Sequence, residues 1–290
     1  AGEVWPLEEI IKLKETVESN GLKLIGIESV NVHEDIKIGL PTRDKYIENY
    51  KETLVNLAKV GIDLVCYNFM PIFDWTRTEL ARELTDGSNV LSYDENIIRG
   101  LKPEEMFERI ESSSEGFLMP GWEPNRKLEI MGLFEKYKDV NKEKLLKNYK
   151  YFLDAIIPVC EKYKIKMGVH PDDPAWDVFG LPRIVTSEED MLKIIELNDS
   201  IYNGFTLCTG SLGSNINNDI PTIIQFEIIP YITIPLSPIY FKICILNINI
   251  TNPLATSIKK LELPHDIIFF TMSKDIPLIH IFILFFFFIK

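Results

Sequence analysis

Residues 62–70 read IDLVCYNFM, a nearly continuous apolar run of the kind found in a strand that is buried on both faces. The preceding residues, 43–60, place apolar side chains at helical spacing, and Gly61 ends that helix. Another β-type run, LKLIGIESV at residues 22–30, comes before the helix. Strand, helix and buried strand in this order predict an α/β fold with a parallel sheet.

The same alternation continues along most of the chain. Further helices are predicted at residues 6–20, at 142–164 and after Ser187, and further strands at residues 165–169 and 205–208. Residues 74–141 form a polar insertion with short helical stretches such as 103–110. Polar groups follow each strand, and the GxGxxG and GxxxxGK[ST] motifs are both missing. These features favour a partial TIM (β/α)8 barrel, with about four of the eight strands, over a doubly wound nucleotide-binding sheet.

The composition of the whole chain excludes some classes of protein. Its 290 residues carry a net charge of -12, whereas a nucleic-acid binder needs clustered Lys and Arg. Four scattered cysteines and the lack of a signal peptide predict a reduced, cytoplasmic location. The Phe-rich end at residues 276–289 is shorter than the about 20 residues that span a membrane, so no membrane partner is expected.

The composition changes abruptly after residue 219. All 15 glycines lie between Gly2 and Gly213, whereas residues 220–290 contain 20 isoleucines. A folded β-domain of that size needs glycines for its turns. We therefore predict a partial barrel domain at residues 1–219 and an aberrant, Ile/Phe-rich tail at residues 220–290, from a frameshift or non-coding sequence. A diverged C-terminal domain is the alternative.

Polar residues gather where the predicted strands end, and in a parallel barrel those ends face one mouth. They are His33 after the first strand, Asn68, Trp75 and Arg77 after the second, His170 and Asp172 after the third, and Cys208 after the fourth. His170 and Cys208 are each the first polar residue after an apolar strand, so they could hold a divalent ion together with two further ligands. The alternative is a hydrogen-bonded histidine beside an inert cysteine. Cys66 and Cys160 lie within a strand and a helix and are expected in the core.

The other polar residues at these ends are predicted to bind substrate: His33, Asn68, Trp75, Arg77 and Asp172. For His33 a solvated loop is an equal alternative. For Asp172 two other roles stay open, orienting a metal ligand and capping the loop that follows.

Five segments resemble those of bacterial mannonate dehydratase. They are GEVWPLEEI (2–10), IESVNVHEDIKIGLPTRDKYIENY (27–50), CYNFMPIFDWTRTEL (66–80), MGVHPDDPAWDVFGLPRIV (167–185) and TLCTGSLGSN (206–215). The resemblance extends from residue 1 to about residue 225. It implies a TIM-barrel lyase that removes water from D-mannonate, giving 2-keto-3-deoxygluconate in hexuronate (glucuronate) catabolism.

The resemblance also implies a cofactor, Mn²⁺ with Fe²⁺ as the alternative, bound by His170 in HPDDP and Cys208 in TLCTGS. It implies a small sugar acid as substrate and a homo-oligomeric enzyme. A thiolate is a soft ligand for Mn²⁺, so the residues alone would have favoured Zn²⁺ or Fe²⁺.

Two motifs of the family are missing from residues 1–290, an HVRN-type and an RPDHG-type motif. The family's catalytic histidine belongs to the second, so no catalytic residue is assigned here. We expect the chain as written to be inactive and poorly soluble. The alternatives are a non-catalytic remnant and another divalent-metal sugar isomerase or epimerase on a TIM barrel.

Overall fold

The computed structural model describes residues 1–113 and 126–223. Its helices are α1 (Leu7–Glu18), α2 (Glu34–Ile38), α3 (Arg43–Lys59), α4 (Glu95–Gly100), α5 (Pro103–Ser113), α6 (Lys127–Tyr137), α7 (Lys142–Tyr163), α8 (Glu188–Leu197), α9 (Thr209–Gly213) and α10 (Ile220–Ile223). Its strands are β1 (Gly26–Glu28), β2 (Leu64–Tyr67), β3 (Glu79–Glu83), β4 (Asn89–Ser92), β5 (Lys166–Val169) and β6 (Asn203–Phe205).

Strands β1, β2, β5 and β6 form one parallel sheet in that order. Gly26 lies opposite Leu64, Leu64 opposite Lys166, and Met167 opposite Asn203. The parallel α/β sheet predicted from the sequence is therefore confirmed. A closed barrel of eight strands is not found among the described residues, so that finer feature stays a prediction.

Three strands differ from their predictions by more than one residue, and one hairpin was missed. β2 covers only Leu64–Tyr67 of the predicted residues 62–70. β1 covers only the part of residues 22–30 that pairs with β2. β6 begins at Asn203 and ends at Phe205, before the predicted end at residue 208. Backbone pairing places Asn203 and Gly204 in the sheet although neither is apolar. The antiparallel hairpin of β3 and β4 lies in the polar insertion, where its half-exposed strands lack a clear alternating pattern.

The core lies between the sheet and the helices α3 and α7. The ring of Phe152 on α7 lies 5.0 Å from that of Tyr50 on α3 and 6.0 Å from that of Tyr67 on β2. The hydroxyls of Tyr67 and Tyr149 are 2.6 Å apart, so both buried phenols share a hydrogen bond. Helix α7 continues through Pro158, and its buried stripe holds the helix against the strands.

The described part of the chain ends in α10, where Ile223 is buried in the core. Residues 224–290, nearly all of the predicted tail, lie outside the described residues, and the boundary at residue 219 stays a prediction. Within residues 1–113 and 126–223, none of the helices combines the length and the apolar surface that crossing a membrane requires.

Candidate metal and substrate site

The carboxyl ends of the four parallel strands lie at one edge of the sheet, which we call the mouth. Glu28 ends β1, and His170 follows β5 directly. The amide of His170 donates to the carbonyl of Tyr67 at 2.7 Å, so the sheet's hydrogen bonding continues as far as His170. Cys208 follows β6 by three residues and occupies the N-cap position of α9. These positions bring the side chains of His170 and Cys208 into hydrogen-bond contact.

His170 and Cys208 each change the pKa of the other. Burial by itself would lower the pKa of His170, but the charge of Cys208, the hydrogen bond to it and the charge of Glu28 raise that pKa to about 10. Burial would raise the pKa of the Cys208 thiol, yet the charge of His170 and hydrogen bonds from His170 and Ser211 bring it to about 7. At pH values between these two, the pair is a thiolate beside an imidazolium.

The main chain fixes the ring orientation of His170. Its Nδ1 lies 2.7 Å from the carbonyl oxygen of Pro171, and because a carbonyl can only accept, Nδ1 carries a proton. Nε2 is therefore the nitrogen that remains for Cys208 or for a metal ion.

Polar contacts connect the sulfur of Cys208 to the loop after β2. Ser211 Oγ lies 3.2 Å from Cys208 Sγ and 3.4 Å from Asp173 Oδ2. Arg77 donates to both oxygens of Asp173, from Nη1 at 2.8 Å and from Nη2 at 3.0 Å. The guanidinium carbon of Arg77 lies 5.2 Å from the centroid of a ring of Trp75. The loops after β2, β5 and β6 are thereby joined beside the mouth.

Known proteins are similar to this chain in sequence and in fold. The family model described as D-mannonate dehydratase (UxuA) matches residues 1–234. The chain belongs to the mannonate dehydratase family. It is 59% identical to the mannonate dehydratase of Thermotoga neapolitana over 225 residues, which are 78% of this chain and 62% of that protein. It is also 59% identical to the mannonate dehydratase of Brachyspira hyodysenteriae over 224 residues, 77% of this chain and 63% of that protein.

A solved structure of the mannonate dehydratase family has the same fold. The crystal structure of mannonate dehydratase from Streptococcus suis serotype 2 matches with a TM-score of 0.69 and 41% identity. The match covers 79% of this chain and 59% of that chain. The resemblance inferred from the sequence is confirmed, and the chain spans less than two thirds of the length of these relatives.

Two residues predicted to bind the family's substrate, His33 and Asn68, make local contacts in the loops they begin. His33 Nδ1 accepts from the amide of Asp35 at 3.1 Å and caps α2, and its ring stacks on Tyr46 at 3.5 Å. Burial lowers the pKa of His33, although the charges of Asp35 and Glu34 act to raise it. Asn68 is buried, and its Oδ1 accepts from the amide of Met70 at 3.2 Å. Their role toward a substrate stays a prediction.

Asp172 makes the contacts expected of a residue that caps a loop. Its Oδ2 accepts from the amides of Ile184 at 2.8 Å and Val185 at 2.7 Å. Its Oδ1 lies 3.7 Å from Arg183 Nη1, and both side chains are buried. Burial raises the pKa of Asp172 in spite of the charge of Arg183. Trp75 and Arg77, by contrast, lie beside the mouth, where Arg77 is ion-paired with Asp173. For all three, binding of substrate stays a prediction.

Sequence reasoning assigned no role to Glu28, whose carboxylate is buried at the mouth. Its Oε2 is buried and has no hydrogen-bond partner, and its carboxylate shares a hydrogen bond with the thiol of Cys66. Burial raises the pKa of Glu28, although the charge of His170 and the hydrogen bond to Cys66 both act to lower it. A buried carboxylate oxygen without a partner is costly, so Glu28 is a candidate acceptor for a ligand hydroxyl. Its place at the end of a buried strand is the signal that could have found it.

Glu34, next to His33, could bind substrate or lie in a solvated loop as judged from the sequence, and in the structure it connects three elements of the fold. Its Oε1 lies 2.7 Å from Lys37 Nζ, and Lys37 also donates to the carbonyl of Met70 at 2.7 Å. Its Oε2 accepts from the hydroxyl of Tyr137 at 2.5 Å and from the amide of Ile72 at 3.1 Å. Glu34 thus joins the loops after β1 and β2 to α6. Tyr137 is too distant in sequence for any local pattern to have indicated this contact.

Two of the described residues have the chemistry to form part of the coordination sphere of a divalent metal ion. His170 and Cys208 offer a nitrogen and a sulfur ligand from neighbouring strand ends, and a metal site needs at least three protein ligands. Among the residues that the structure describes, no group of three or more His, Cys, Asp or Glu could enclose an ion. A complete site therefore requires ligands in addition to this pair.

Proposed function

We propose that the chain carries part of the active site of a mannonate dehydratase. The reaction removes water from D-mannonate and gives 2-keto-3-deoxygluconate in hexuronate catabolism. The contact between His170 and Cys208 at the mouth supports this proposal, in a chain whose curated relatives are named mannonate dehydratases. The parallel sheet would then be one part of a TIM (β/α)8 barrel.

We propose Mn²⁺, with Fe²⁺ as the alternative, as the metal at His170 and Cys208. When bound, such an ion supplies Lewis acidity beside the carboxylate and hydroxyl oxygens of a sugar acid. His170 would bind it through Nε2, because Nδ1 donates to Pro171. Cys208 would bind it as a thiolate, the form that its lowered pKa favours above neutral pH.

The other groups at the mouth suit a polyhydroxylated acid. The unpartnered Oε2 of Glu28 can accept from a substrate hydroxyl, but it would repel the substrate's carboxylate. That difference would orient the sugar acid, with its hydroxyls toward β1 and its carboxylate away from Glu28. Dehydration also needs a base for the proton next to the carboxylate and an acid for the departing hydroxyl, and we assign neither to a described residue.

We further propose a reduced, cytoplasmic location, in which Cys66, Cys160 and Cys208 remain free thiols, as they are in the described structure. The family resemblance also supports a homo-oligomer. Sedimentation of the purified chain would test that state, and a monomer at all concentrations would contradict it.

The metal part of the proposal is tested by Mn²⁺ titration of the chelated chain, followed by electron paramagnetic resonance. We expect Cys208→Ser and His170→Ala each to weaken binding by more than about tenfold, since each removes a ligand. Cys160→Ala removes a thiol from the core and should leave Mn²⁺ binding unchanged. Equal affinity in all four proteins would contradict the assignment.

The substrate part is tested by adding D-mannonate to the Mn²⁺-loaded chain. We expect the sugar acid to change the Mn²⁺ resonance spectrum, and D-gluconate to change it less. No spectral change with D-mannonate would contradict the proposed substrate. An assay for the 2-keto acid product, run in parallel, tests separately whether the chain as written is inactive.

A further inference from the structure

The hydroxyl of Ser211 has one proton and two acceptors within reach. Its Oγ lies 3.2 Å from Cys208 Sγ and 3.4 Å from Asp173 Oδ2. Ser211 is only 3% exposed, so water does not compete for this proton. A sulfur acceptor tolerates a longer contact than an oxygen acceptor, whose usual O–H···O distance is about 2.5–3.0 Å. By distance alone, the proton belongs to the sulfur.

Arg77 weakens the competing acceptor. It donates to both oxygens of Asp173 at 2.8 Å and 3.0 Å, a bidentate geometry that neutralises the carboxylate and occupies its oxygens. The amide of Thr76 donates to the carbonyl of Asp173 at 3.2 Å, which holds the two loops in register. Because Arg77 occupies both of its oxygens, Asp173 is a weaker acceptor for the hydroxyl of Ser211 than an unpaired carboxylate would be.

The main chain of Ser211 is also held in place, by a second serine. Ser214 Oγ donates to the carbonyl of Ser211 at 2.7 Å and accepts from the amide of Ala175 at 3.1 Å. Ser214 thus ties α9 to the loop after β5, and in the described structure these two hydrogen bonds do not involve the sulfur of Cys208. Ser214 is therefore a suitable control position, because it stabilises the same helix through contacts other than the thiolate.

We propose that Ser211 is a positioning residue for Cys208, and that the Arg77–Asp173 pair directs the single proton of Ser211 to the sulfur. The inference rests on the proposed function, in which Cys208 is a thiolate ligand. The hydrogen bond from Ser211 would hold that thiolate in a fixed orientation toward His170 and the mouth. The proposal also assigns Arg77 a role that needs no contact with the substrate. By pairing with Asp173, Arg77 prevents Asp173 from accepting the hydroxyl proton of Ser211. The prediction that Arg77 binds substrate is a separate one.

The first test measures alkylation of Cys208 by iodoacetamide in the chelated, metal-free chain, with peptide mapping to separate the four cysteines of the sequence. We expect Ser211→Ala to raise the pH midpoint of alkylation by about one unit, the size expected for one lost hydrogen bond to a charged group. Ser211→Thr should restore the midpoint, and Ser214→Ala should leave it unchanged. A midpoint in Ser211→Ala equal to that of the parent overturns the proposal.

The second test asks whether Arg77 acts through Ser211. Arg77→Gln should raise the same midpoint, because the released Asp173 then takes the proton. In the double variant Arg77→Gln/Ser211→Ala the combined shift should be smaller than the sum of the single shifts, as in a coupled pair. Additive shifts would overturn the part of the proposal that concerns Arg77. Thermal unfolding of each variant identifies any loss of fold.

A third measurement uses Co²⁺ as the probe metal in the same proteins. We expect the sulfur-to-cobalt charge-transfer band to move to lower energy in Ser211→Ala and Arg77→Gln, but not in Ser214→Ala, because a thiolate without its hydrogen bond gives up electron density more readily. An unchanged band in Ser211→Ala would overturn the proposal. If the parent binds no Co²⁺, the proposed metal site fails, while the alkylation midpoints still decide the role of Ser211.

Discussion

Replacing Gly168 by alanine tests whether β5 and β6 pack as closely as described. Gly168 lies opposite Gly204 in the sheet, two residues before His170. A methyl group there would lie 2.9 Å from Thr206 Oγ1 and 3.3 Å from the carbonyl carbon of Phe205. Thr206 could rotate, but it would then lose its hydrogen bond to the carbonyl of Gly168, which is 3.2 Å long. The carbonyl group of Phe205 can move only if the sheet itself moves.

The size of the effect follows from these contacts. Overpacking of this kind costs about 1–3 kcal/mol, and replacing a glycine whose backbone conformation suits alanine returns about 0.4–1 kcal/mol. We therefore expect Gly168→Ala to lower the free energy of unfolding by about 1–2 kcal/mol. For a chain of this size that corresponds to a fall in Tm of about 2–8 °C.

The assay is urea unfolding followed by circular dichroism, with Gly132→Ala as the control. Gly132 lies within α6, and a methyl group there would meet no atom within 4 Å. Since alanine favours a helix over glycine by about 0.5–1 kcal/mol, the control should be more stable than the parent. If Gly168→Ala proved as stable as Gly132→Ala, the close approach of β5 and β6 would be refuted.

Three further predictions concern single groups. In the metal-free chain, the alkylation rate of Cys208 should rise with a midpoint near pH 7, while Cys160, whose pKa burial raises to about 12, should stay unmodified; equal rates by peptide mapping would contradict this. Because the pKa of Glu28 is raised in the folded state, its stabilising contribution is present at low pH and is lost as pH rises through that pKa. Glu28→Gln should therefore gain stability relative to the parent between pH 4 and pH 8 in urea titrations, and a gain that does not depend on pH would count against the buried carboxylate. Tyr137→Phe should cost about 1.5–3 kcal/mol, because it removes a hydrogen bond to the charged Glu34; a loss below about 0.5 kcal/mol would show that α6 is held by other contacts.

The parallel sheet could be predicted from the sequence, because strands that are buried on both faces have nearly continuous apolar runs. Residues 62–70 and 165–169 both contain a strand of that sheet. The ends of β1, β2 and β6 could not be predicted in the same way, since backbone pairing with the neighbouring strand decides where each one stops. The hairpin of β3 and β4 was missed because its strands are short and half exposed, so burial left little periodicity in their sequence.

Site residues that come directly after a strand could be predicted from the sequence. Residues whose role depends on contacts between loops were harder to predict. His170 and Cys208 were selected by position, and their side chains do meet. Asp172 was selected for the same reason, yet its oxygens face the amides of Ile184 and Val185, more than ten residues away. Ser211 shows the reverse case: it ends the TLCTGS segment, but the sequence does not show which atom its hydroxyl proton faces.

The order of strands in the sheet also bears on how the chain is synthesised. Leu64 on β2 pairs with Lys166 on β5, roughly 100 residues later in sequence, because the whole insertion lies between them. At a translation rate of about 5–20 residues per second, β2 leaves the ribosome about 5–20 s before its partner strand exists. During that interval the backbone N–H and C=O groups along that edge of β2 have no partner strand, and an unpaired edge of this kind can pair with another chain.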